Sequence, residues 1–376
     1  MTVMDKRDLI SVVIPNYNGA ELLKNCLDSL LRGSWIPEII VVDNGSQDDS
    51  CRMVEQEYPQ VILLKLPANT GFCHAVNAGL HLVRNPYAFL LNNDTEVAGD
   101  CVEQLCAAME RRPNCFAMQA LMLSLHQPEL VDDAGDLYSA LGWGYARGKG
   151  EPAARYTAEN KRESLTPLFA ACAGAAVYRM SVFHEIGWFD ERHYCYLEDI
   201  DIGWRAQIYG FRSYLAPKAV VYHAGSATTG SRYNDFKEVM TAGNNALVLH
   251  KNMPALQYWL NAPLWKLGMS VKQLFFNRKG LGDAYRQGLE RGRFLKALTA
   301  DYTMLTAYDE PYKKGTIAEE AALEMEGGEL DQVLPLYLGK KVPFAWKHLP
   351  NYCSIQGQLW TGLFRRKIRK TTQKKA

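Results

Sequence analysis

Short apolar runs and amphipathic segments alternate along the first 112 residues. Residues 11–14 (SVVI) read as a buried strand stopped by Pro15, and 16–19 as a loop. Residues 20–31 carry Leu22, Leu23, Cys26, Leu27, Leu30 and Leu31 at helical spacing. Further strand patterns lie at 39–42, 61–66 and 87–91, with helices expected at about 50–57, 71–83 and 100–112. Strict alternation of this kind predicts an α/β fold, a mostly parallel sheet with helices on both faces. It also gathers 15–19, 43–49, 69–71 and 92–96 at strand ends on one rim, where open α/β sheets take their ligands.

From 120 to 167 the pattern breaks, with Gly142, Trp143 and Gly144 in the middle, and a functional loop or lid is expected. A strand of unusually small residues resumes at 169–178, and a short helix is expected near 181–186. A helix at 199–209 and short strands at 213–215 and 219–222 follow, the second ending at His223. After about 230 helical, aromatic-rich patterns dominate. These shifts divide the chain into a catalytic domain over 1–245, with halves at about 1–120 and 120–245, and a helical extension over 246–376 with a basic tail.

Composition narrows the chemistry by exclusion. The net charge is +1, so no global field draws the chain to nucleic acid. The nine cysteines are scattered without a CxxC pair, which indicates free thiols in a reducing compartment. No apolar signal core precedes the first strand and no uncharged run reaches membrane-span length, so a cytoplasmic location is expected. Neither GxGxxG nor GxxxxGK[ST] follows the first strand, which disfavours a dinucleotide fold and a P-loop. The rim offers Asp43, Asp48, Asp49, Asn92 and Asp94 instead. Carboxylates repel a bare phosphate but suit ribose hydroxyls and a hard cation that bridges a diphosphate.

The blocks SVVIPNYNG, VVDNGSQDDS, NTGFCHAVNAG, LLNNDT and FDERHYCYLEDIDIGWR, in this order, resemble the family 2 glycosyltransferases of GT-A fold. Within that family they are most similar to rhamnosyltransferase-like and galactofuranosyltransferase-like members, over roughly residues 9–250. The resemblance implies an inverting transfer of one sugar from a nucleotide diphosphate donor to a hydroxyl of a glycan or polyprenyl-linked acceptor. The resemblance places Pro15, Asn16 and Tyr17 along the nucleobase and Asp43 on the base or ribose. Asn69 and Gly71 would line the donor pocket, Asn77 would support it, and Gly174 would sit near the sugar. Asp94, with Asn92 and Asn93 before it, matches the last acid of the family's DxD motif, which holds Mg²⁺ or Mn²⁺ on the diphosphate. His223 matches a histidine that completes the metal site, and Asp199 of the Glu198–Asp199 pair matches the general base.

Asn92 departs from the acid that usually opens DxD; it suits a ribose hydroxyl better than a metal. No QxxRW follows the acidic pair, which favours single addition over polymerisation. L-rhamnose from dTDP-rhamnose is the expected donor, for synthesis of a surface glycan such as O-antigen. UDP-galactofuranose or a UDP-hexose is the alternative donor, and a catalytically silent sugar-nucleotide-binding scaffold the alternative function. Tyr258, Trp259, Trp265, Lys266, Lys272, Phe275, Phe276, Arg278 and Lys279, with the basic tail 364–376, suit docking on an anionic membrane surface at the cytoplasmic face. Helix packing explains the same residues equally well.

Overall fold

The computed structural model describes residues 9–157, 165–225, 233–297, 339 and 341–365. At the N-terminal end β1 (Ile10–Asn16), β2 (Glu38–Asp43), β3 (Ile62–Lys65) and β4 (Tyr87–Leu91) alternate with α1 (Ala20–Leu31), α2 (Ser50–Glu57) and α3 (Phe72–Leu82). The four strands are parallel, in the order β3-β2-β1-β4. Successive residues of a strand feed opposite faces. Val12, Ile14, Ile39 and Val41 join the cluster that α1 covers, while Val13, Ile40 and Val42 join the one that α3 covers. Burial on both faces is why these strands read as unbroken apolar runs.

The chain continues through β5 (Thr95–Val97), α4 (Cys101–Glu110), β6 (Cys115–Ser124), β7 (Val131–Asp133), β8 (Asp136–Ser139), β9 (Trp143–Ala146) and α5 (Ala154–Thr157). β10 (Thr166–Leu168), β11 (Ala175–Arg179), α6 (Met180–Ile186), α7 (Glu198–Tyr209) and β12 (Arg212–His223) follow. The sheet order is β10-β12-β6-β11-β4-β1-β2-β3, with β11 antiparallel to both neighbours and β12 parallel to β6. This is an α/β sheet of GT-A type. Two local expectations are corrected. The region expected to be irregular from 120 begins inside the apolar strand β6 and contains β7, β8 and β9. The two short strands expected at 213–215 and 219–222 are one strand, β12, whose register against β6 slips between Ala216 and Val220. Pro217 sits in that slip, where its missing N–H cannot serve a ladder.

The C-terminal helices are α8 (Asp235–Asn252), α9 (Ala255–Arg278), α10 (Gly282–Ala297) and α11 (Leu349–Arg365). A boundary at 245/246 falls inside α8. This helix is tied to the preceding half by buried charge. Lys251 Nζ lies 2.6 Å from Asp190 Oδ2 and 2.7 Å from Asp201 Oδ2, with all three side chains at 0% exposure. Asn252 donates to the other Asp201 oxygen at 2.8 Å, and Arg192 and Arg205 complete the set on Asp190 and Asp201. Burial alone would push the Asp201 carboxyl up, but Lys251 and Arg205 outweigh it and hold it at about 2. The same acids with His193 are close enough together for a metal ion, yet the three cations already balance them.

Lys251→Met is expected to destabilise the protein by about 3–5 kcal/mol, because it leaves buried carboxylates without their central counter-charge. A urea midpoint equal to that of the wild type would contradict this. Because the Asp201 carboxyl is depressed from its ordinary value to about 2, its stabilisation is present above about pH 3.9 and is lost as the pH falls towards 2. Wild type should therefore lose more stability across that window than Asp201→Asn, measured by thermal unfolding against pH.

Candidate active site

The donor rim is built from the carboxyl ends of β1, β2 and β4. Asn16 closes β1 and donates to Asp43 Oδ1 at 3.1 Å and to Ser46 Oγ at 3.3 Å. The other Asp43 oxygen accepts the Ser46 N–H at 2.9 Å, so the turn after β2 folds around this carboxylate. Asn93 is buried and donates to Asn16 Oδ1 at 2.7 Å, with Gly19 too close to its amide to carry a Cβ. It braces the rim from behind, whereas Asn92 is half-buried and lies against Gly174, whose backbone oxygen accepts the Asn92 N–H at 3.0 Å. A Cβ on Gly174 would come within 2.9 Å of the Asn92 amide. Pro15 and Tyr17 are half-exposed beside this turn.

Asn69 is exposed on the next loop. Its side-chain oxygen accepts from Asn44 and from the Tyr194 hydroxyl, each at 3.1 Å. Gly71 has φ 90° and packs directly under the Tyr194 ring, so both its conformation and its space require glycine. Asn77 is buried in α3 and clasps Phe189 through both its N–H and its carbonyl, and also donates to Glu191 at 2.7 Å. It is a tie between α3 and the segment that precedes α7, in keeping with a supporting role.

Asp94 follows β4, and β12 brings His223 beside it by pairing antiparallel with β5, His223 opposite Thr95. His223 Nε2 lies 3.2 Å from Asp94 Oδ1, and Nδ1 lies 2.7 Å from Asp132 Oδ2. Asp132 also receives Lys149 Nζ at 2.6 Å. Burial would lower the His223 pKa, but hydrogen bonds to Asp132 and Asp94 raise it to about 9. Burial raises and His223 and Lys149 lower the Asp132 carboxyl, which settles at about 2. A carboxylate oxygen and an imidazole nitrogen converge here, and a second carboxylate orients the ring from its far nitrogen. That is the donor set and supporting contact expected of a divalent cation site, so Asp94 and His223 fit Mg²⁺ or Mn²⁺.

Asp199 opens α7 and is half-buried. One of its oxygens accepts the Ile200 N–H at 2.6 Å. Its carboxyl, that of Asp136 and the Cys172 thiol bring a ligand atom each within 4.8 Å of one another. Burial raises both carboxyls, and Asp136 is pushed well above the ordinary range because Asp199 adds its charge. Two buried carboxyls this close titrate as a pair. Glu198 is buried, one of its oxygens has no hydrogen-bond partner, and burial with the neighbouring Asp199 raises it to about 8. Asp201, three acids into the same turn, belongs to Lys251.

Sequence reasoning missed the stretch VDDAGD, residues 131–136. Asp132 touches His223, and Asp136 stands by Asp199, so one short segment links the two corners of the site. Asp133 lies between them, receiving Gln119 at 2.8 Å and the Gly135 N–H at 2.6 Å. The available signal was three acids within five residues around a glycine; Gly135 has φ 113°. Trp143, in the same region, donates to the Gly268 carbonyl at 3.1 Å and so anchors α9.

The backbone before Asp199 is unusual. Tyr194, Tyr196 and Leu197 have φ of 62°, 71° and 66°, a region costly for residues with a Cβ. Asn244 of α8 holds them: its amide nitrogen lies 2.8 Å from the carbonyls of His193, Cys195 and Tyr196. Arg291 of α10 donates to Asn244 Oδ1 at 2.6 Å and to the Arg192 carbonyl at 2.7 Å. The C-terminal helices thereby set the approach to α7.

Residues 11–187 match the model of glycosyl transferase family 2, a span that contains Asp94 and ends before Asp199 and His223. N-acetylglucosaminyl-diphospho-decaprenol L-rhamnosyltransferase of Mycobacterium tuberculosis is 29% identical over 245 residues, 59% of this chain and 78% of that protein. An uncharacterized glycosyltransferase of Rickettsia prowazekii is 27% identical over 238 residues, 61% of this chain and 69% of the relative. The crystal structure of S. aureus TarS 1-349 in complex with UDP-GlcNAc aligns with 76% of this chain and 91% of that one, at 15% identity and a TM-score of 0.46. The motifs, the sheet and the match over 11–187 support a family 2 glycosyltransferase, an enzyme that transfers a sugar.

Proposed function

We propose that the protein transfers a single L-rhamnose, with inversion, from dTDP-rhamnose to a hydroxyl of a polyprenyl-diphosphate-linked N-acetylglucosamine on the way to a surface polysaccharide. The observation that carries the reading is the convergence of Asp94 and His223 at 3.2 Å on the rim, with Asp199 on a separate helix start. The rhamnosyltransferase relative supports the donor sugar and the lipid-linked acceptor.

In this reading Pro15, Asn16, Tyr17 and Asp43 receive the base and ribose. Asn69, Gly71 and Asn92 line the donor pocket, Asn77 and Asn93 brace it, and Gly174 leaves room for the sugar. Asp94 and His223 would hold Mg²⁺ or Mn²⁺, which would neutralise charge on the departing diphosphate. Asp199 takes the proton of the acceptor hydroxyl as its oxygen bonds to the anomeric carbon and the diphosphate leaves with the bonding electrons. Asp136 stands beside Asp199 and titrates with it as a pair. Glu198, neutral near pH 7, adds no charge beside it. The C-terminal helices face the membrane that carries the acceptor.

Asp199→Asn should lower transfer about 10²–10⁴-fold while donor binding by calorimetry is retained; loss of donor binding would show that Asp199 is not the base. Asp94→Ala should abolish the metal-dependent thermal shift with dTDP-rhamnose. A wild type stabilised with Mn²⁺ by a UDP-sugar and not by dTDP-rhamnose would replace the donor, and one that binds a donor without hydrolysing it would leave a scaffold. Because the Asp199 carboxyl is raised and must be ionised to act, kcat/KM should fall on the acid side with an apparent pKa above the roughly 3.9 of a free aspartate. A profile flat down to about pH 4 would contradict this.

A further inference from the structure

Helix α9 exposes the wrong face for a helix in water. Its 24 residues contain no acid, and Leu256, Trp259, Leu260, Leu267, Val271 and Leu274 recur at helical spacing on its outer side. They are 83%, 69%, 55%, 56%, 44% and 62% exposed. The inner side is also apolar: Tyr258, Leu264, Trp265 and Met269 pack on the core that contains Trp204 of α7. The aromatic residues that looked equivalent in the sequence therefore divide. Trp259 and Phe275 point outward, while Tyr258, Trp265 and Phe276 belong to the fold.

Two features of the molecule identify what covers this face. The first is charge: between 253 and 281 there are four basic residues, Lys266, Lys272, Arg278 and Lys279, and no acid. The second is continuity with α11. Trp360 is 45% exposed and donates to Asn261 of α9 at 3.1 Å, and Phe364, one turn further, is 68% exposed. The chain runs from there into 365–376, which holds seven Lys/Arg and no acid. An apolar stripe about 27 Å long, at 1.5 Å per residue, bordered by cations and followed in the sequence by a polybasic segment, is complementary to an anionic lipid surface. No helix among the described residues is long and apolar enough to cross a membrane.

We propose that α9 lies in the plane of an anionic bilayer, with its outer stripe in the acyl boundary and Lys266, Lys272, Arg278 and Lys279 near the headgroups. The proposal rests on the reading of a lipid-linked acceptor for its choice of occupant. Because Trp143 joins β9 to α9 and α9 packs beside α7, a bilayer under α9 is coupled to the sheet pair β8–β9 that carries Asp136.

The test uses the full chain with vesicles of phosphatidylcholine alone or with 30% phosphatidylglycerol, about one lipid in three. Wild type should cosediment with the anionic vesicles, weakly with the neutral ones, and less at high salt. Leu267→Glu with Leu274→Glu should reduce anionic-vesicle binding at least ten-fold while transfer to a water-soluble acceptor analogue is unchanged. Hydrogen exchange of wild type should show vesicle-dependent protection across 256–274, which checks the face without any substitution. Unchanged binding by the double variant, or no protection of α9, overturns the proposal. So does a wild-type dimer that the double variant splits while vesicle binding persists, since the face would then cover a second copy. Vesicle binding needs neither donor nor acceptor, so its failure is separable from failure of the transferase reading, which the soluble-acceptor assay reports.

Discussion

Charge removed from water has to be matched, and this molecule is organised by how it matches a concentration of acids around one sheet rim. Asp190 and Asp201 are fully buried and permanently paired, with Lys251 between them. Asp94 and Asp132 share the His223 ring, and Lys149 adds a second cation on Asp132. Asp136 and Asp199 lie together beside Cys172, and burial raises both carboxyls. The first arrangement is a clamp, and the other two are reactive. A histidine proton can give way to a divalent cation, and a carboxylate whose pKa is raised by burial can accept a proton.

The clamp explains why the C-terminal helices cannot be regarded as an appendage. Lys251 and Asn252 grip Asp201, and Asn244 holds the three carbonyls before α7 with Arg291 behind it. Three residues in left-handed backbone are tolerated there because the surrounding bonds over-determine them. The turn that presents Glu198 and Asp199 is thus paid for by helices that contribute no candidate reacting group of their own. The same helices carry the apolar outer stripe, so the surface of the molecule and its base are mechanically close.

Much of this was legible from sequence for identifiable reasons. The strands β1 to β4 are buried on both faces, so they stand out as apolar runs that end at Asn16, Asp43 and Asn92. Asp94, Asp199 and His223 lie at strand or helix ends within recognisable blocks. The remainder depends on tertiary partners. Three acids around Gly135 do not by themselves mark Asp132 or Asp136, whose significance comes from His223 and Asp199. Asn93 cannot be distinguished from Asn92 until the close approach of Gly19 turns it inward. Trp143 in the irregular stretch gains its anchoring role only from the Gly268 carbonyl that receives it. The outer and inner aromatics of α9 share one composition, and only packing separates them.

The central claim is a single displacement, with the diphosphate held at Asp94 and His223 and the acceptor deprotonated at Asp199. The stereochemistry of the first-formed product tests it most directly. Proton NMR of the transferred sugar should show the anomeric configuration opposite to that of the donor. Retention of the donor configuration would contradict the account, since it requires a second displacement or a same-face attack that an Asp199 base does not serve.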